Sequence, residues 1–312
     1  MIRSIPPRAA TACAALALTL SLALTHASSG QSPAPAPTAA RPRPVVDVYV
    51  IAGQSNAMGR GRVANLQSGQ APDPRAWLYH SALLRSSAGP FTWAPLRPAS
   101  ETREMFGPEV SLGSRLQERT PDRPVALIKH AATATNLVVD WNPGKDGNDR
   151  ARWGHHYQIL VGTVEAGLQA LRDKGFEPNL RGMAWQQGET DSEQTDWALG
   201  YAANLSHFIA RVRDQFHAPD MVFVYGFVLP PPCQGMWRDT IRTAQGAIDQ
   251  DSGSPFAVKR AFTVFTDDLN HRADDPNTTD ARDYVHIGSA GQWELGRRMA
   301  ETMANKGKTT GR

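Results

Sequence analysis

The sequence predicts one α/β domain, a mainly parallel sheet covered by helices on both faces. Three observations carry that expectation. Short, largely apolar runs recur at Val45–Gly53 (VVDVYVIAG), Val125–Lys129 (VALIK), Arg181–Trp185 (RGMAW), Met221–Val228 (MVFVYGFV) and Ala261–Phe265 (AFTVF). Runs that are apolar throughout, rather than alternating, suit strands buried on both faces. Between them lie helical stretches, roughly Glu109–Glu118, His156–Lys174, Ala198–Phe216, Arg238–Gln250 and Ala290–Asn305. The regular alternation of the two kinds is the pattern of a parallel sheet with crossover helices.

Each element has its own justification. Ala198–Phe216 places Leu199, Ala202, Ala203, Leu205, Phe208, Ile209 and Val212 at the spacing of one buried helix face. Long connections at Leu66–Arg103, Asn142–His155 and Asp267–Asp283 are of the length that carries function or insertions in a compact domain. In such folds ligands bind outside the carboxyl ends of the strands, so chemistry-bearing residues are expected on the loops that leave them.

Composition bounds the function. The 312 residues are 41% hydrophobic and 20% charged with a formal charge of +3, an ordinary globular balance. Arginine is scattered rather than striped, which gives no basis for a nucleic-acid or membrane-surface partner. Residues 1–27 read as a secretory signal: Arg3 and Arg8, an apolar Ala9–Leu24, and small residues in Thr25-His26-Ala27. Ser28–Pro44 is a Pro/Ala-rich linker, residues 45–306 the folded domain and 307–312 a disordered tail. The expected destination is secreted or periplasmic, with no membrane attachment after cleavage. Only Cys233 would then remain, so no internal disulfide is expected.

Within Val45–Gly61, the strand ends at Gly53 and a small-residue turn carries Ser55. There a serine either caps a helix or presents a nucleophile beside the free N–H groups of a first turn. Near the C-terminus, Asp283-Tyr284-Val285-His286 precedes a helix. Asp and His three apart can pair carboxylate with Nδ1, leaving Nε2 to face a serine, although the same spacing also arises in exposed loops. Gln187, in WQQGETD, could donate its amide into the site or make a buried structural bond. Gly107, in FGPEV, could offer a backbone N–H or simply shape a helix entry. With the Ser55 N–H these make three candidate donors for one developing oxyanion.

The segments GQSNAMGRG, FGPEV, KHAATATNLVVDW, MAWQQGETD and DYVHIGSAGQ, in that order, span most of Val45–Ala304. Together they resemble the SGNH-type hydrolases of carbohydrate esterase family six and the sialate O-acetylesterase group. The resemblance implies a three-layer α/β/α sandwich and a serine esterase that removes O-acetyl groups from carbohydrates. By position it implies Ser55 as nucleophile, His286 as general base and acid, Asp283 as its orienter, and Ser55, Gly107 and Gln187 as the oxyanion hole. It also implies an acetylated oligo- or polysaccharide substrate and no cofactor. One departure stands out: relatives commonly carry Gly-Gly-Thr after the lysine of the third strand, where this chain has Thr133-Ala134-Thr135.

Other polar and aromatic residues are candidates of a lesser kind. Gln54, Asn56 and Glu189 flank the motifs as candidate substrate-binding residues, and Trp141 and Trp153 could offer stacking faces for pyranose rings or belong to the core. Lys129 and Asp140 read as structural, His155-His156 as a helix start, and no metal-binding pattern is present. The expected activity is acetylxylan-esterase-like. Its alternatives are a sialate O-acetylesterase, a non-catalytic carbohydrate-binding module on the same fold, and a lipase- or thioesterase-like specificity.

Overall fold

The computed structural model describes residues 42–307 apart from Gln234, so the expected signal, most of the linker and the last five residues lie outside the described part. Seven strands form the main sheet: β1 Val45–Gly53, β2 Trp77–His80, β3 Ala94–Pro95, β4 Val125–Ala131, β5 Glu177–Gln186, β6 Val222–Gly226 and β7 Ala261–Val264. Their order across the sheet is β7-β6-β5-β1-β4-β2-β3. Every pairing is parallel except that of β3 with β2 at the edge. The helices are α1 Ser55–Met58, α2 Glu109–Arg119, α3 His155–Asp173, α4 Thr195–Gln215, α5 Arg238–Ile248 and α6 Ser289–Lys306.

The central strand shows why three layers form. Val46, Val48, Val50 and Ala52 point to one face of the sheet and Tyr49 and Ile51 to the other, because successive side chains of a strand alternate. The first set packs with Tyr157, Leu160 and Val164 of α3, Phe208 of α4 and Ile241 of α5. The second packs with Leu112 and Leu116 of α2 and with Leu295, Met299 and Met303 of α6. A strand with helices on both sides has no polar face to spare, hence a run that is apolar but for Asp47 near its start, which Arg123 and Asn179 meet at 3.2 and 2.9 Å.

The expected helices and strands are present with ends shifted by a few residues. The long Leu66–Arg103 connection differs more, because it contributes β2 and β3 to the sheet and a short antiparallel pairing of Arg85–Ser86 with Ala99–Ser100. WLYH is too short, and too embedded among Pro and polar residues, to be distinguished from loop by periodicity.

β1 is flanked by β4 on one side and β5 on the other, and the chain crosses from β4 to β5 over it. That is a topological switch point, where the loops leaving adjacent strands diverge and leave a crevice. Among the described residues, no helix is long and apolar enough to cross a membrane, and no cluster of three or more His, Cys, Asp and Glu could hold a metal ion.

Candidate active site

Ser55 is the first residue of α1, directly at the carboxyl end of β1. The turn that puts it there depends on Gly53, whose φ is +131° and where a Cβ would lie 2.2 Å from the Gln186 carbonyl oxygen. No side chain fits. Gly59 closes α1 at φ +98° and packs as tightly on the backbone of Gly107. In this geometry Ala57 and Met58 donate back to the Gln54 carbonyl, at 2.9 and 2.8 Å. The N–H groups of Ser55 and Asn56 have no partner among the described residues, as expected of a first turn. Ser55 is 2% exposed, and its hydroxyl likewise has no hydrogen-bond partner among the described residues.

His286 and Asp283 lie on the loop that precedes α6. Nδ1 of His286 is 2.8 Å from both carboxylate oxygens of Asp283, whose Oδ1 also accepts the His286 backbone N–H at 3.1 Å. Burial raises the Asp283 pKa, but the imidazole, that N–H and the Arg272 guanidinium at 3.7 Å outweigh it and hold the group below its ordinary value. The imidazole is thereby fixed with Nδ1 turned to the carboxylate and Nε2 turned away. The loop is pinned in turn: Arg272 N–H donates to the His286 carbonyl at 2.8 Å, and Asp275 accepts from the Ser289 N–H and hydroxyl at 2.7 and 2.6 Å.

Asn56 brings the two loops together. Its Oδ1 accepts the N–H of Ile287 at 2.9 Å, and its Nδ2 donates to the Val285 carbonyl at 3.1 Å and to Glu189 Oε1 at 2.6 Å. The residue after the serine therefore grips the backbone on both sides of the histidine. No hydrogen bond joins Ser55 to His286 directly among the described residues; such bonds often tighten only when substrate arrives.

The contacts of several candidate site residues run inward. Asn56 is fully buried with its side chain committed to Glu189 and the histidine loop. Gln54 is also inward, its Oε1 accepting from Gly188 and Thr190 N–H at 3.2 and 3.4 Å. The Gly107 N–H is turned to the carboxylate of Glu109, at 3.1 and 3.0 Å from its oxygens. The Gln187 amide donates to the Thr135 carbonyl at 3.1 Å and to Asp191, while its oxygen accepts from the Tyr201 hydroxyl. The reason is common to both: a buried carboxylate must be met by donors, and Glu109 and Asp191 take the nearest ones. Glu189 is buried, with Oε2 unpaired, and burial raises its pKa against the opposing pull of Asn56, its own N–H and His286.

The two tryptophans are enclosed as well. Trp141 is 0% exposed, donates its N–H to Thr135 Oγ1 at 2.8 Å and meets Trp185 edge-on at 5.1 Å. Trp153 is buried against Tyr157 at 5.0 Å, with the Arg150 guanidinium over its ring at 5.2 Å. Neither offers a free face to a sugar. Lys129 and Asp140 are structural, as read from the sequence: Lys129 pairs with Glu109, and Asp140 Oδ2 accepts from Asn136 N–H and Nδ2 at 2.9 and 2.8 Å. Arg272, Asn270 and Asp275, which hold the histidine loop, carry no motif that sequence reading could have used. Thr133 and Ala134 lie exposed at the exit of β4, Thr133 Oγ1 accepting from Arg60 at 3.1 Å and Ala134 at φ +55°.

A three-layer α/β/α sheet with a serine turn at its central strand, joined to a C-terminal Asp-x-x-His loop, is the architecture of an SGNH-type esterase. Residues 45–305 match the family described as "Carbohydrate esterase, sialic acid-specific acetylesterase", and the chain belongs to that family; it is a carbohydrate acetylesterase. It is 24% identical over 215 residues, 65% of this chain and 75% of the other, to the Arabidopsis thaliana protein named "Probable carbohydrate esterase At4g34215". The crystal structure of an Arabidopsis thaliana protein of the same designation superposes with a TM-score of 0.61 at 19% identity, covering 85% of this chain and 99% of that one. The structure of NanS gives a TM-score of 0.60 at 19% identity, over 85% and 98% of the two chains. That of XAC1771, a carbohydrate acetylesterase from Xanthomonas citri, gives 0.52 at 16% identity, over 82% and 55%. At these identities the superpositions bear on the fold alone.

Proposed function

We propose that the protein hydrolyses O-acetyl esters on carbohydrate through an acetyl-enzyme on Ser55, with His286 as the base and Asp283 as its orienter. The observation that carries this reading is the grip of Asn56, covalently next to Ser55, on the residues either side of His286. Ser55 Oγ attacks the acetyl carbonyl as His286 Nε2 takes its proton, and Asp283 stabilises the imidazolium so formed. The tetrahedral oxyanion is received by the N–H groups of Ser55 and Asn56, the two left unpaired at the start of α1. His286 then protonates the departing sugar oxygen, and water repeats the sequence on the acetyl group.

The sugar is the less constrained part. An acetylated oligo- or polysaccharide of the xylan kind is the first reading, and the description of the matched family favours O-acetylated sialic acid as the second. A secreted or periplasmic location fits either substrate. Acetate released from a panel of acetylxylan and O-acetyl sialosides separates the two. For the mechanism, a fluorophosphonate should label Ser55, and Ser55→Ala or His286→Ala should abolish p-nitrophenyl acetate hydrolysis with the circular dichroism unchanged. Near-normal turnover in either variant removes that residue from the reaction.

A further inference from the structure

We propose that Glu189 is a positioning residue of the esterase, one that acts through Asn56 to set the placement of His286 against Ser55; this rests on the reading of Ser55 and His286 above. Asn56 serves the histidine loop only in one orientation of its amide. Oδ1 must face the Ile287 N–H, and Nδ2 must face the Val285 carbonyl. With the amide turned over, oxygen would meet oxygen at Val285 and N–H would meet N–H at Ile287. Both of those backbone groups lie on one loop, so by themselves they tie Asn56 to no other element.

Glu189 supplies a third contact from a different element. Its Oε1 accepts the second Nδ2 hydrogen of Asn56 at 2.6 Å, from the segment that leaves β5. A carboxylate has only acceptors, so an Asn56 oxygen placed there would face another oxygen. The flip is therefore closed off. Gln292 of α6 completes the frame, donating to the Asn56 carbonyl at 3.3 Å. The three loops at the exits of β1, β5 and the segment before α6 thus meet on one buried side chain.

Glu189 is costly to keep for this purpose, which argues that it does more than fill space. It is buried, and among the described residues no cation pairs with it and its Oε2 has no partner. Burial raises its pKa against the opposing effects of Asn56 and His286. A buried acid held this way contributes less to stability than a hydrophobic side chain of its size. Its return is geometric, since displacing a reacting group by about 1 Å is enough to lose on the order of 10²-fold in rate.

The test uses the full-length protein with active sites counted by fluorophosphonate, so that kcat refers to competent Ser55 only and partial unfolding does not enter. Per labelled serine, Glu189→Ala should lower kcat for p-nitrophenyl acetate about 10- to 100-fold, with KM within about threefold of wild type. Asn56→Ala should lose at least as much, and the double variant no more than Asn56→Ala alone, because the two act on one contact. Glu189→Gln, which keeps an acceptor oxygen for Asn56, should recover most of the loss. If Glu189→Ala does not fold, Asn56→Asp places a second carboxylate against Glu189, and adding Glu189→Gln to it should raise kcat at least about tenfold by restoring a donor–acceptor pair. A Glu189→Ala kcat within about twofold of wild type, losses that multiply in the double variant, or no recovery by glutamine in either background overturns the proposal. Absence of label at Ser55 in the wild type overturns the reading of Ser55 itself, and this proposal with it.

Discussion

The ammonium of Lys129 lies 2.5 Å from Oε2 of Glu109, and neither side chain reaches solvent. The same Nζ donates to the carbonyls of Met58 and Ala99, both at 2.8 Å, while Glu109 Oε1 accepts the Ala99 N–H at 3.0 Å. One ion pair thus ties the last residue of the nucleophile helix to β4, to the first residue of α2 and to the long loop between β2 and α2.

Removing either half of that pair should leave a buried charge without a counterion. Lys129→Met and Glu109→Gln are each expected to cost about 3–5 kcal/mol of folding stability. Replacing both, as Lys129→Met with Glu109→Leu, should cost less than the sum, since no charge is stranded. Urea midpoints at an unchanged m-value measure this. Single variants that lose under about 1 kcal/mol would show that the pair does not support the serine turn.

How much of this was readable beforehand follows from the range of each interaction. β1 and β4 announce themselves because a strand buried on two faces must be mostly apolar, and only Asp47 in the one and Lys129 and His130 in the other break the run. Asp283 and His286 are legible for a similar reason, being three residues apart on one loop. Asn56 is not legible, because its partners Glu189, Val285 and Ile287 lie 133, 229 and 231 positions away. Gly107 and Gln187 were legible as donors but not as donors already taken, since that depends on which way Glu109 and Asp191 fold. Trp141 and Trp153 sit in the core beside Trp185 and Tyr157, a matter of packing on which the sequence is silent.

The pairing of Asp283 with His286 yields a kinetic and a thermodynamic expectation. Asp283→Asn should lower kcat by roughly 10²–10⁴-fold, because an amide accepts less well from Nδ1–H and can hold the imidazole in the wrong tautomer. The folded-state pKa of Asp283 is depressed, so the stability it contributes is present above its unfolded pKa and lost as pH falls through the folded value. Acid unfolding curves of wild type and Asp283→Asn should therefore converge at low pH. Curves that stay parallel would mean that the carboxylate is not stabilised by the fold.

Ala134 holds φ +55°, in the left-handed region that favours glycine. A left-handed alanine costs roughly 1 kcal/mol, against a somewhat smaller entropic cost for glycine in the unfolded chain. Ala134→Gly should leave stability equal or raised by up to about 1 kcal/mol, and Thr133→Gly/Ala134→Gly, which removes the Thr133 side chain from beside Met58 of α1, should admit longer acyl groups. Chain-length profiles with acetyl, butyryl and octanoyl esters read out the second effect. A loss of more than about 1 kcal/mol in Ala134→Gly would show that the methyl group makes a contact worth more than the strain.

His130 gives a pH dependence whose sign can be worked out. It lies buried on β4, with Nδ1 2.8 Å from Ser81 Oγ and Nε2 3.3 Å from Nδ1 of His156. Burial, helped by His156 and His155, pushes its pKa from 6.5 down to about 3. Between those values the unfolded chain binds a proton that the folded one refuses, so this histidine makes stability rise with pH by up to about 1.4 kcal/mol per unit. Asp191 works in the opposite sense. Burial lifts it from 3.8 to about 7, so the folded state holds its proton across that range and stability falls as pH rises. The wild-type profile mixes both slopes and isolates neither. Comparison with His130→Gln does isolate one, because the variant lacks only the rising part. The deficit of the variant relative to wild type should be largest at pH 7 and should shrink by about 1–3 kcal/mol by pH 4.5, as measured by urea unfolding at the two values. A deficit that stays constant across that range would mean that His130 takes up a proton inside the fold, and that the buried Ser81–His130–His156 chain is not held neutral.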